Sequence, residues 1–484
     1  MLIFMPQKKR TINNVTMISA LKSQLTFALA AAIIAATAMA AASTQFGLAD
    51  GSKITLAMTV ACALPMWAYA SRSWATRGGL WALLAISAVV AGCSMYNIWD
   101  WTLHSGGTLA HPVLRADDSH YYEWALYHFD GSGQNLPVMF PGLPVLMMGL
   151  WSLLGVSVVW PMAMNAAFVL AAVVTAGAVA RRVLEGRVSA SGPAVAVVAM
   201  VMTGVLAYFV SQGIRIQKEA MVYLAIGLTG YALAGLRRSD SFTAADWWAY
   251  ALACVILAFG RTTYLYFVIM GVAMMWAGNA RRHWRTAAVL VAVAAALMAV
   301  GNHFAYYSVE RHVIIVNGGN EMREAYINDG AQAPYLRLIG DYFNYPKLLR
   351  AAMLPLTLAV QFIIPFPWLK SAVVSVDTVL PRLAYGWYAV GAMAIFYFVA
   401  VSWRKRDNLG LWAWWLAASY AAIAYITAGS ISRYVLPFEP LMATLATYVL
   451  CRAAEGRQRK ALAGWLAAFA VVLGAALAVC SRVA

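Results

Sequence analysis

The sequence predicts an all-α polytopic membrane protein, with about 13 transmembrane helices plus two interfacial helices. Three observations predict it. Of the 484 residues, 63% are hydrophobic and only 11% charged, against about 25% charged in water-soluble domains. The apolar residues come in blocks long enough to cross a bilayer, which takes about 20 residues as helix. Lys and Arg gather in every second loop, as in a chain threaded through a membrane from a cytoplasmic N-terminus. The period-two alternation of an outer-membrane barrel is absent.

The first apolar run, 25–43, follows Lys8, Lys9 and Arg10. Ala38-Met-Ala40 looks like a cleavage site, but the many later spans favour an uncleaved first helix. Further spans are expected over 54–70, 79–98, 158–180, 192–210, 218–236, 246–259, 263–279, 286–306, 383–402, 409–428, 434–451 and 461–481. Those over 246–259 and 263–279 are short and are expected to tilt or to pack inside the bundle. Two apolar stretches are not counted as spans. Pro141 and Pro144 interrupt 138–155, and 351–369 ends in Ile-Pro-Phe-Pro-Trp368. Proline breaks regular helix and Trp favours the membrane–water interface, so both are expected to lie in the interface.

With the N-terminus inside, Arg181-Arg182, Arg237-Arg238, Arg281-Arg282 and Arg404-Lys405-Arg406 all fall on the cytoplasmic side. Counting 351–369 as a span would move the last group outside, against the positive-inside rule. Two long polar loops, about 99–137 and 307–350, then face outwards. The chain divides into a cytoplasmic N-terminus with two additional helices (1–78), a core (79–306), a second outer loop with an interfacial helix (307–382) and C-terminal helices (383–484). The net charge of +16 is explained by cytoplasmic retention of basic loops, so nucleic acid is not expected as a partner. Cys62, Cys93, Cys254, Cys451 and Cys480 sit in or beside apolar segments, with neither disulfide-framework nor zinc spacing. No P-loop pattern supports ATP-driven transport.

Chemistry is expected in the first outer loop, in Arg115-Ala-Asp-Asp-Ser-His-Tyr-Tyr-Glu-Trp124. Asp117 and Asp118 can act as a general base, as metal ligands, or as a carboxylate pair with one raised pKa. His120 and Glu123 stand beside them. A short Asp-Asp pattern by itself also fits a solvated loop. The aromatic neighbours argue for packing at the membrane surface instead. A divalent metal could use Asp117 or Asp118 with His120. Four cations are expected at outer helix ends, on the same face: Arg215, Lys218, Arg261 and Arg433. Arg and Lys at membrane depth are costly and mark pathways or anion sites. A phosphate suits them, because Arg can clamp it with two parallel N–H donors. Snorkelling of long side chains is the plain alternative for any one of them.

The order of these features resembles the GT-C superfamily, integral-membrane glycosyltransferases that use polyprenyl-phosphate-linked sugars. The stretches that carry the resemblance are 79–98, Asp117-Asp118-Ser-His-Tyr-Tyr-Glu-Trp124, Phe140-Pro-Gly-Leu-Pro-Val-Leu, Val158 to Arg182, Arg261-Thr-Thr and Ser432-Arg-Tyr-Val-Leu-Pro437. Within it the chain is similar to the aminoarabinose transferase and protein O-mannosyltransferase type. The chain departs from that plan in two extra spans before the acidic loop and in lacking a large C-terminal soluble domain. The second departure turns the expected acceptor towards a lipid or a polysaccharide.

The resemblance implies that Asp117 or Asp118, with Asp117 slightly favoured, is the base that deprotonates an acceptor hydroxyl. It implies that Arg215, Lys218, Arg261 and Arg433 stabilise the leaving lipid phosphate, and that the site is extracytoplasmic, in a bacterial inner membrane. A lipid-linked oligosaccharide flippase or other secondary transporter is the competing expectation, and a polysaccharide polymerase or ligase the third. A transporter predicts charges facing a central cavity in both halves. No internal repeat of the kind found in many transporters is evident.

Overall fold

The computed structural model describes residues 46–114, 117–136, 140–205, 213–238, 242–278, 283–308, 345–355, 408–427 and 434–456, with isolated positions beyond these. The spans expected over 25–43, 383–402 and 461–481 lie wholly or mostly outside the described residues. So do most of the second outer loop and most of 351–369.

The described elements are helical, with no strand among them. In order they are α1 (Phe46–Ala70), α2 (Arg77–Trp99), α3 (Asp117–Phe129), α4 (Gly142–Leu154), α5 (Val159–Leu184), α6 (Gly192–Gly204), α7 (Glu219–Arg238), α8 (Ala244–Gly260), α9 (Tyr264–Gly278), α10 (Trp284–Ser308), the short α11 (Lys347–Ala352), α12 (Asn408–Thr427) and α13 (Glu439–Ala454). Among the described residues, six helices are long and apolar enough to cross a membrane: α1, α2, α5, α7, α10 and α12. The chain is a helical integral membrane protein. α5 has 26 residues, roughly 39 Å at the helical rise, more than the hydrocarbon core of about 30 Å.

The helix ends follow from local chemistry. Thr76 caps α2 by accepting from the Gly79 N–H at 3.1 Å. Thr243 and Asp246 form a reciprocal capping box at the start of α8. Pro437 and Pro440 hold the entry to α13, where a missing N–H leaves no bond unmade. Three elements differ from the expected ones. α2 does not stop at residue 98 but continues through a wide π-turn, Asp100–His104, closed by Ser105 N–H to Asp100 O at 3.1 Å. The span expected over 192–210 is interrupted after Gly204, where Val205 stands in a turn. The acidic stretch is not a loop: from Asp117 it is the helix α3.

α3 forms because its apolar residues share one face. Tyr121, Tyr122, Ala125 and Leu126 are buried at helical spacing. They pack towards α4, where the Tyr122 and Trp151 rings meet edge to face at 5.0 Å. α4 itself has 13 residues, too few to span. It buries Leu143, Met147 and Trp151 while Val145, Leu146, Leu153 and Leu154 stay exposed. An outer face of this kind suits lipid rather than water.

At the centre, α5 packs against α6, α7 and α13, and α7 packs against α8. Small residues let these backbones approach. A Cβ at Gly230 in α7 would stand 2.2 Å from Leu441 Cδ2 of α13 and 3.2 Å from Trp412 of α12. Gly230→Val is therefore expected to destabilise the bundle by about 1–3 kcal/mol through overpacking. Gly149→Ala, at a position where a new Cβ meets nothing within 4 Å, is the control and should be neutral or better. Thermal unfolding of the two variants in detergent checks the difference.

The bundle has two distinguishable ends. α2, α6, α8, α10 and α12 finish at one, and α5, α7, α9 and α13 begin there. That end joins residues distant in sequence: Asp118 to Arg215, Tyr121 to Lys218, Glu219 to Arg261, and Tyr264 to the Tyr434 carbonyl. The other end joins Arg182 to Asp246, Ser189 to Glu455 and Arg181 to the Trp74 ring. Exposed tryptophans mark this second end. Trp67, Trp81, Trp248, Trp276 and Trp284 all lie near the helix termini there. Amphipathic rings at that level form the belt expected at a membrane–water interface.

Candidate active site

The acidic helix and the cation-bearing turns meet at the first end. Asp118, in the first turn of α3, is 1% exposed. Its Oδ2 accepts from Arg215 Nε at 2.9 Å and from Arg215 Nη2 at 2.7 Å. Arg215 sits in the irregular turn between α6 and α7. That turn is held from inside the bundle, because Asn165 of α5 donates its amide N–H groups to the Arg215 and Gln217 carbonyls. A polar side chain in an apolar span here satisfies backbone that has left regular helix.

Lys218 follows in the same turn. Its Nζ donates to the Tyr121 hydroxyl and lies 5.7 Å from the Phe140 ring centre. Burial pushes the Tyr121 hydroxyl above its ordinary value, with Lys218 opposing. The phenol is thus neutral at physiological pH, and it keeps its own O–H to donate.

Glu219 opens α7, buried, with its Oε1 3.6 Å from Arg261 Nη1. Arg261 closes α8 in an extended conformation and stacks on the Tyr434 ring at 3.8 Å. Tyr434 is fixed in turn, since its carbonyl accepts from the Tyr264 hydroxyl at 2.6 Å. Thr262, next to Arg261, donates to Asn302 Oδ1 of α10 at 2.8 Å.

Among the described side chains, Arg215, Lys218 and Arg261 thus face Asp118 and Glu219, three cations to two carboxylates. Beside them are buried acceptors. Asn165 Oδ1, Gln217 Oε1 and Glu219 Oε2 are buried with no hydrogen-bond partner among the described residues. Buried acceptors without donors are costly. The end of the bundle is therefore suited to a guest with anionic oxygens for the cations and hydroxyl donors for the acceptors.

Not every expected site residue joins this group. Glu123 accepts from the Gln134 backbone N–H at 3.1 Å, and so braces the chain after α3. His120 is half-buried on α3 and makes no hydrogen bond or ion pair among the described residues. Asp117 begins α3, but its side chain lies outside the described residues, as does Arg433. Among the described residues no three His, Cys, Asp or Glu side chains come together as a metal site. Of the expected metal donors, Asp118 is engaged by Arg215.

Asn165, Gln217, Tyr121 and Tyr434 join the expected site residues, Tyr121 and Tyr434 from within the short motif stretches. Asn165 had one signal, a single amide within a long apolar span. No family model, curated protein or solved structure matches the chain.

Proposed function

We propose that the chain is a membrane glycosyltransferase that moves a sugar from a polyprenyl-phosphate carrier to a lipid or polysaccharide acceptor. The observation that carries this reading is the meeting of three cations with three unpartnered buried acceptors at one end of the bundle. A sugar phosphate presents the matching groups, phosphate oxygens and sugar hydroxyls, on one molecule. The site faces the extracytoplasmic side by the positive-inside rule, since Arg181-Arg182 mark the other end.

The acceptor hydroxyl oxygen attacks the anomeric carbon and its proton passes to a carboxylate. The bond from the anomeric carbon to the phosphate oxygen breaks, and its electron pair leaves on the phosphate. Arg215, Lys218 and Arg261 stabilise that developing charge, an electrostatic role that is often the largest single contribution to such a transfer. Asp118 is engaged with Arg215, so its part is to position that guanidinium. The base is then Asp117.

The test is transfer of radiolabelled sugar from a polyprenyl-phosphate-sugar pool, in membranes with matched protein levels. Wild type should transfer, and the double change Asp117→Asn, Asp118→Asn should not. Equal transfer in both removes the carboxylate chemistry. No transfer from any of several donors turns the reading to a flippase, tested next by the sidedness of a labelled lipid-linked glycan. Within this reading, Arg261→Gln should lower transfer about 10²-fold, as for loss of one preorganised donor. Matched protein levels and kcat compared with KM check that value.

A further inference from the structure

At the opposite end, α5, α7, α8 and the turn after α1 enclose a cavity of about 520 Å³. Val174, Ala178, Leu228 and Ala249 form an apolar wall, and three cations, Arg72, Arg181 and Arg182, line the same cavity with one carboxylate, Glu185. Arg182 is fully engaged: it pairs with Asp246 through both terminal nitrogens and donates to the Tyr231 carbonyl at 3.1 Å. Arg181 is not. Its Nε is buried with no hydrogen-bond partner among the described residues. Its Nη2 stands 3.9 Å from Glu185 Oε1, too far for a hydrogen bond. Arg72 is exposed, and its side chain makes no ion pair or hydrogen bond among the described residues.

Two features say what would fill the cavity. The guanidiniums call for an anion with several oxygens, and phosphate matches the arginine fork. The apolar wall beside them calls for hydrocarbon. Trp74, buried beneath the Arg181 guanidinium at 5.8 Å, lies at the same end as the exposed tryptophans that mark the interface. Basic pockets between spanning helices at this depth suit anionic lipid head groups.

We propose that this cavity binds a phosphate-bearing anion, held by Arg72 and Arg181, with a phospholipid's acyl chain along the apolar wall. The shared chemistry is the phosphate. A soluble phosphate would use the arginines alone, whereas a lipid uses both features. The site is independent of the transfer reaction.

The experiment is native mass spectrometry of the purified, delipidated full chain, titrated separately with phosphatidylglycerol, phosphatidylcholine and inorganic phosphate. Wild type should hold one phosphatidylglycerol about tenfold more tightly than phosphatidylcholine, whose choline offsets the phosphate charge. The double change Arg72→Gln, Arg181→Gln should remove that preference. Competition by millimolar inorganic phosphate, with no preference between the lipids, would assign the site to a soluble phosphate instead. Equal phosphatidylglycerol binding by wild type and double variant, with no effect of phosphate, overturns the proposal. Should the double variant not fold, Arg72→Gln alone decides, since Arg72 is on the surface. It should lose about threefold in phosphatidylglycerol affinity, and unchanged affinity overturns the proposal equally.

Discussion

Arg215→Met is expected to destabilise the protein by about 3 kcal/mol, the cost of breaking a buried ion pair from one side. The partners are unequal, and that decides the direction. Asp118 is 1% exposed and Arg215 is 34% exposed at the side chain. Removing Arg215 leaves a carboxylate that water cannot reach. Removing the charge of Asp118 leaves a guanidinium that water can reach, and an asparagine oxygen still accepts from it. Asp118→Asn should therefore cost only about 1 kcal/mol, the net worth of an ordinary hydrogen bond. The double variant Asp118→Asn, Arg215→Met should lose about 2 kcal/mol, less than Arg215→Met alone, which is a coupling of about 2 kcal/mol. Denaturant unfolding of the four proteins in detergent measures this cycle. Additive effects would mean that the two side chains do not act as a pair.

Much of the scaffold is legible because lipid imposes it. Long apolar runs must be helices where backbone groups have no water to bond. Charge asymmetry between loops gave the alternation of ends, and the described residues of the expected outer and inner loops do separate that way. Asp118, Arg215, Lys218 and Arg261 were visible as costly charges beside spans. Their pairing was not visible. Asp118 and Arg215 are 97 residues apart, and nothing local tells a carboxylate which of several cations it will meet.

The helix over Asp117–Phe129 was missed for a different reason. Its polar residues, Asp117, Ser119, His120 and Glu123, interrupt the apolar run that marks a span, so the stretch reads as a loop packed at the membrane surface although Tyr121, Tyr122, Ala125 and Leu126 share one helical face. The 3.6-residue period was present there. The role of Asn165 depends on Arg215 and Gln217 leaving regular helix, a tertiary event that a propensity scale does not contain. The arginine cavity was hidden by its own sequence context: Arg181-Arg182 reads as a topology signal, and only the geometry separates Arg182, hydrogen-bonded to Asp246, from Arg181, whose buried Nε is not hydrogen-bonded among the described residues.

The largest kinetic effect is expected at Asp117. Under the transfer reading, Asp117→Asn should lower kcat by about 10²–10⁴, the range for loss of a positioned general base. Thermal stability should be nearly unchanged, because Asp117 is the first residue of α3, where loss of one negative charge at a helix start costs less than about 1 kcal/mol. Asp118→Asn should behave differently. It loosens Arg215, so it should raise KM for the phosphate donor and lower kcat only modestly. The pH profile separates the two roles. Transfer by a base of this kind rises with pH as the carboxylate ionises. Asp118→Asn should keep that rising limb, and Asp117→Asn should lose it along with most of its rate. A lost limb in Asp118→Asn, with an intact one in Asp117→Asn, would exchange the assignments. Asp118 would then have to leave Arg215 during turnover, which makes the ion pair a gate on the reaction and not its support.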